Sequence, residues 1–268
     1  MIKLNSFYTF IFIAIAGCLS LSCEDVIDVK LDNAEPALII EASVTNASNI
    51  QFVKISRSQN IGDANKFIAV TNASVSMKDS EGKIFEFSHE PRSPGLYLST
   101  NGRPRPLLTY NLRVDVDGKT YTAISTMPVE VNLDSIGIIT DNFFNKETKT
   151  IAAVYKDPIG VPNYYRFILY VNKIPTKGIF AFSDKFNDGK EVTAELRNPN
   201  NDIKKDDVVR VEMQTVDKNV YKYFEGLDQN ENRGGASTTP ANPVSNISNG
   251  ALGYFSAHTE QSGTIRIK

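Results

Sequence analysis

The stretch LTYNLRVDVDGKTYTAIST, residues 108–126, limits what this chain can fold into more than any other feature. Leu112, Val114 and Val116 occupy alternate positions, Asp117-Gly118 interrupts, and Tyr121 and Ala123 resume the alternation. A period of two on both sides of Asp-Gly specifies a β-hairpin with one buried face. Such a face must be covered by a second layer, so the chain needs a sandwich or a barrel around it. Similar short runs occur in ALIIEASVTN (37–46), QFVKISRSQ (51–59), ASVSMKD (73–79) and KIFEF (83–87). Strands recurring about every ten residues without helical periodicity predict an antiparallel sandwich of immunoglobulin or transthyretin type across 37–128.

Met127-Pro128 marks a joint, because Pro128 fixes φ and removes a backbone donor. Beyond it, NYYRFILYVNK (163–173) sets Tyr165, Phe167, Leu169 and Val171 against Tyr164, Arg166, Ile168 and Tyr170. Both faces are half apolar, as in a central strand covered on both sides. VVRVEMQTVD (208–217) is a further strand, and SGTIRIK closes the chain as another. Asp217 is a fitting N-cap for a helix over 217–228, where Val220, Tyr223, Phe224 and Leu227 form one stripe. A long loop, 229–250, follows and ends on the apolar GALGYFSA. The expectation is an all-β protein of two antiparallel β-sandwich-like domains, 37–128 and 129–268, with one packed helix in the second.

The N-terminus has a separate logic. FYTFIFIAIA (7–16) follows Lys3 and is about ten residues long, which suits an export signal and falls short of the roughly 20 needed to span a bilayer. No good A-x-A cleavage site follows it. Small residues precede Cys18 (Ile15-Ala16-Gly17) and Cys23 (Ser20-Leu21-Ser22), as in a bacterial lipoprotein signal whose cysteine becomes the acylated first residue. The letters around Cys18 fit that box better. A disulfide between the two would close a strained loop. With the signal removed, no cysteine pair remains, and the exported body depends on its hydrophobic core.

The residues that carry chemistry are sparse. A net charge of −2 offers no basic field for nucleic acid. The only histidines, His89 and His258, are far apart and read as a surface turn and a solvent-facing strand end, so no transition-metal set is expected. SDKFNDGKE places Asp184, Asn187 and Asp188 in an oxygen-rich loop, a weak calcium candidate without EF-hand spacing. Asn46, Asn72 and Asn246 begin N-x-S triplets, which in a bacterial chain are turn residues rather than glycan acceptors. No nucleophile elbow or phosphate-binding glycine loop occurs, and no cofactor is implied. One binding lead is a polar, aromatic patch of Asn242, Asn246, Asn249 and Tyr254 beside the long loop.

Read in order, several segments converge on one family: CEDVIDV; ALIIEASVTN; NASVSMKDSEGK; PGLYLST; YNLRVDVDGKTYTAISTMP with LDSI behind it; NYYRFILY; FSDKFNDGK; VEMQTVDKNVYKYFEGL; and NPVSNISNGALGYFSA. Together they resemble the family known only as domain of unknown function 4249, lipoproteins of Gram-negative bacteria. That resemblance places the cysteine directly before the acidic EDVID and so favours Cys23 over Cys18, giving a signal peptide of 1–22 and an anchor and tether of 23–36. It also implies an outer-membrane lipoprotein at the cell surface or on the periplasmic face, encoded near TonB-dependent transporters. Glu24, Asp25 and Asp28 resemble a surface-export signal, although Val26-Ile27 interrupts them. The implied role is a non-catalytic accessory module that docks on such a transporter. The alternative is a carboxylate-based hydrolase using Asp157, Asp184 or Asp188, or a glycan- or peptide-binding protein of the envelope.

Overall fold

A computed structural model of the chain describes residues 36–59, 67–143, 146–197, 203–232 and 242–268. Cys18, Cys23, Glu24, Asp25 and Asp28 lie outside these residues.

Eight strands fill the first region: β1 (Leu38–Thr45), β2 (Gln51–Arg57), β3 (Ile68–Ala69), β4 (Ser74–Asp79), β5 (Ile84–His89), β6 (Leu96–Ser99), β7 (Thr109–Val116) and β8 (Lys119–Thr126). The alternation in sequence becomes alternation in burial. Leu38, Ile40, Ala42 and Val44 of β1 face one core with Val53 and Ile55 of β2 and Leu112, Val114 and Val116 of β7. Two tyrosines in this core also fasten loops with their hydroxyls. Tyr97 accepts the N–H of Ala73 (2.9 Å) and donates to Val70 O (3.0 Å). Tyr110 accepts the N–H of Arg105 and donates to its carbonyl. Burying an aromatic ring with its polar tip satisfied avoids the cost of an orphaned hydroxyl.

The second region holds β9 (Leu133–Phe143), β10 (Lys146–Lys156), β11 (Tyr164–Val171), β12 (Ile174–Pro175), β13 (Phe180–Ser183), β14 (Glu191–Leu196), β15 (Val208–Val216), α1 (Lys218–Asn232) and β16 (Leu252–Arg266). Strands β14, β10 and β9 form one sheet; the rest follow the order β12-β11-β15-β16-β1-β2-β6-β5-β4-β7-β8, with β13 on β11 and β3 on β2. A second core joins Ile151, Ala153 and Tyr155 of β10 to Tyr165, Phe167 and Leu169 of β11 and Val209, Val211 and Met213 of β15. Met127 is buried in the first core and Val131 in the second, so the chain passes between them across Pro128. The protein is an all-β sandwich structure with a single helix among the described residues.

One pairing departs from the antiparallel expectation. Strands β1 and β16 run parallel, from Ile39 opposite Leu252 to Thr45 opposite His258. A parallel pair requires a long connection, and here the connection is nearly the whole chain. Further along, β16 pairs antiparallel with β15 (Thr215 opposite Thr259 to Val208 opposite Arg266), so one strand carries residues of both cores. Gly253 makes the parallel contact possible: its φ is +96°, and a Cβ there would sit 2.0 Å from Ile40 O.

Helix α1 begins at the predicted cap. Asp217 Oδ1 accepts the N–H groups of Asn219 (2.8 Å) and Val220 (3.0 Å). The helix continues beyond the expected 228, and its Val220 and Phe224 are buried with Val216 against Tyr164 and Tyr254. No helix among the described residues is long and apolar enough to cross a membrane.

Candidate functional site

Two places bring polar side chains together. The first is built by the loop from β10 to β11 and the loop from β13 to β14. Asp157, Asp184 and Asp188 each supply a carboxylate oxygen, and these oxygens lie within 4.8 Å of one another. Asp157 is buried, Asp184 half-buried and Asp188 exposed. Each also ties down backbone of the neighbouring loop. Asp157 accepts the N–H of Gly189 (3.2 Å), Asp184 Oδ2 that of Asn163 (2.7 Å), and Asp188 Oδ1 that of Gly160 (2.7 Å). Asn187 contributes backbone to the same turn, its N–H donating to Asp184 O at 2.6 Å. Aspartates stitching turns in this way are ordinary loop chemistry. The three carboxylates nevertheless converge on one spot. Among the described residues, no Lys, Arg or His forms an ion pair with any of them.

Two tyrosines floor this acidic cluster. Tyr165 donates its hydroxyl hydrogen to Asp157 Oδ1, and its ring lies 4.5 Å from that of Tyr155. Tyr155 is 2% exposed. Burial pushes the Tyr155 hydroxyl up, and the charges of Asp157 and Asp184 add to that rise. Tyr165 is raised first by burial and then by its bond to Asp157. A cleft of about 380 Å³ opens on Asp157, lined also by Lys156, Pro158, Ile159 and Gly189. Around it Ile159 (80% exposed), Val161 and Phe186 (76%) stand in solvent.

The second place is a cleft of about 490 Å³ where α1 begins, lined by Thr122, Ile124, Asn219, Lys222, Val244 and Asn246 among others. It contains the end of the long loop, but most of the predicted patch is engaged within the fold. Asn246 Nδ2 donates to Phe255 O (2.8 Å) and its Oδ1 accepts the Phe255 N–H (2.9 Å). Asn249, at φ +56°, donates to Thr120 O. Tyr254 is packed between Tyr223 and Phe224, with ring centroids at 5.1 and 4.9 Å. Asn242 is exposed. Ser248 completes the closure: Thr122 and Ser248 exchange two hydrogen bonds, Thr122 N–H to Oγ and Ser248 N–H to the Thr122 carbonyl, both 2.8 Å. These bonds cover the edge of β8, which would otherwise present unpaired backbone to solvent.

Two buried polar groups went unread in the sequence. His258 does not end a strand in solvent; it is 1% exposed, because β16 runs on through it between β1 and β15. Its Nδ1 lies 3.0 Å from Ser256 Oγ. Glu212, 7% exposed, is held by Arg210 (3.2 Å), Tyr170 (3.2 Å) and Gln214 (2.8 Å). Alternation placed Glu212 opposite the second core, and nothing in the letters showed that this other face is also covered.

A family model described as a domain of unknown function, DUF4249, matches residues 24–264. The chain belongs to this family. The DUF4249 match spans both cores, the acidic cluster and the cleft beside α1, and it starts at the residue following Cys23. No curated protein matches the chain.

Proposed function

We propose that this DUF4249 protein is an outer-membrane lipoprotein, acylated at Cys23, whose β body is a non-catalytic accessory module docking on a TonB-dependent transporter. The observation that carries this reading is the junction at Cys23: a short apolar leader ends there, and the family match begins at Glu24. A lipid on Cys23 would confine the body to the membrane surface, where effective concentration lets a modest interface suffice. The cleft beside α1 offers such an interface, since Ile124 (57% exposed) and Val244 (73%) stand in solvent beside the amide of Asn219 and the amine of Lys222. Apolar anchors with a polar rim suit protein docking.

The experiment is acyl labelling of the full chain in its own cell envelope, comparing Cys23→Ser with Cys18→Ser. Loss of label and of membrane association in Cys23→Ser alone is the expected result. Loss in Cys18→Ser alone moves the anchor, and label in neither protein removes the lipoprotein reading.

A further inference from the structure

Two neighbouring loops carry large apolar side chains into solvent. Ile159 (80% exposed) and Val161 (56%) stand on the loop between β10 and β11, and Phe186 (76%) on the loop between β13 and β14. Every residue from Pro158 to Pro162 is exposed. We propose that these tips dip into the lipid bilayer and hold the anchored body in one orientation on it, a reading that rests on the lipid at Cys23.

The loops are built to keep these side chains out of the core. Asp188 Oδ1 accepts the Gly160 N–H and Asp184 Oδ2 the Asn163 N–H, both at 2.7 Å, and Asn163 Nδ2 donates to Val161 O at 2.7 Å. Pro158 and Pro162 fix φ on either side of Ile159-Gly160-Val161. A Cβ on Gly189 would stand 3.0 Å from Ile159, so bare backbone supports that side chain. Tips already ordered lose little conformational freedom when they are buried.

The surroundings favour a bilayer as what covers them. Asp157, Asp184 and Asp188 spend carboxylate oxygens on backbone amides of the loops, whereas Lys156, Lys185 and Lys190 are exposed beside the tips. Lys185 Nζ lies 5.2 Å from the centre of the Phe186 ring, Lys190 Nζ donates to Phe186 O, and Lys156 shares a cleft with Ile159. Apolar tips with lysines around them match the acyl boundary and the phosphates above it. The tether brings them there. Pro36 is 13 positions after Cys23, a stretch that spans at most roughly 45 Å. Strand β1, which follows the tether, runs parallel to β11 through β16 and β15, so both strands are entered from the same end of the sheet. Thr45 lies opposite His258, and Thr259 opposite Thr215, which faces Tyr165. The start of β11 is therefore about seven residues, or roughly 23 Å, along the sheet from the start of β1, within reach of the tether.

The chain has no tryptophan, so Phe186→Trp puts a single indole at a tip. Ile174→Trp puts one beyond the other end of β11, at a position 70% exposed and about 25 Å away. Each full-length protein is reconstituted into vesicles of phosphatidylethanolamine and phosphatidylglycerol, with and without brominated acyl chains, and floated on a density gradient. Flotation reports the anchor, and quenching by bromine reports insertion of the indole. We expect both proteins to float and Phe186→Trp to be quenched severalfold more than Ile174→Trp. Adding Ile159→Ser and Val161→Ser should remove most of that excess with flotation unchanged; both positions are exposed, and circular dichroism will verify the fold. Flotation without excess quenching overturns the insertion and leaves the anchor standing. An indole shielded from aqueous acrylamide but not quenched by bromine marks a protein, a second copy or a partner, as the occupant and overturns the bilayer. Protein that does not float overturns the anchor, and this proposal with it.

Discussion

Asn246 brackets Phe255: its side-chain amide donates to the Phe255 carbonyl at 2.8 Å and accepts the Phe255 N–H at 2.9 Å. One side chain thus does the work of a paired strand along the edge of β16, where the chain turns back to the first core. Asn246→Ala leaves a donor and an acceptor of partly buried backbone unpaired and should cost about 1–3 kcal/mol. Urea unfolding of the two proteins measures the difference. The same contact bears on any truncation of the long loop. A deletion reaching residue 250 removes Asn246, Ser248 and Asn249 together and should destabilise the first core rather than merely shorten a loop.

Gly253 should tolerate no side chain. Its φ is positive, and a Cβ at this position would lie 2.0 Å from Ile40 O, which leaves room for hydrogen alone. Gly253→Ala should separate β1 from β16 and cost about 3 kcal/mol or more, because backbone strain and the lost parallel pairing add. Native-state hydrogen exchange would show the loss first at the amides of β1. Protection equal to wild type there would contradict the need for glycine in this pairing.

The alkaline limb of stability should be set by buried tyrosines. Burial raises the hydroxyls of Tyr155, Tyr165 and Tyr254, and raises Tyr223 to about 12. Their folded pKa values lie above the unfolded value near 10. The stability they contribute is therefore complete below pH 10 and is lost as pH rises from about 10 towards 12, since the unfolded chain releases these protons first. Tyrosinate absorbance and circular dichroism should change together over that interval. A smooth titration of all tyrosines with no loss of structure would contradict their burial.

The strand pattern was legible because alternation in these letters is alternation in burial: Val75 and Met77, or Tyr165, Phe167 and Leu169, point inward as the sequence requires. The helix was legible from its cap, Asp217, and its apolar stripe. What stayed hidden were relations between distant segments. Nothing local in Leu252–His258 distinguishes a parallel neighbour from an antiparallel one. Burial of His258 likewise depends on strands more than 30 positions away from it. The three aspartates were each visible: all three entered a hydrolytic reading as alternatives, and Asp184 and Asp188 also a calcium one, without anything to show that they meet. Their separation in space, which only the fold supplies, unites them.

The cleft beside α1 gives a prediction that separates docking from folding. Val244 and Ile124 are exposed, so Val244→Glu and Ile124→Glu should change stability by no more than about 0.5 kcal/mol. If the cleft is the docking surface, the same changes should reduce partner recovery severalfold in quantitative co-purification. Full recovery with both substitutions places the interface elsewhere on the body.

Whether this protein is an anchored accessory module is decided by affinity purification of the full-length chain from gently solubilised membranes, with mass spectrometry of its N-terminus and of co-purifying proteins. The expected outcome is an acylated Cys23 at the mature N-terminus together with a stoichiometric TonB-dependent outer-membrane transporter. An unmodified chain, recovered alone from the soluble fraction, would contradict both the anchor and the docking role.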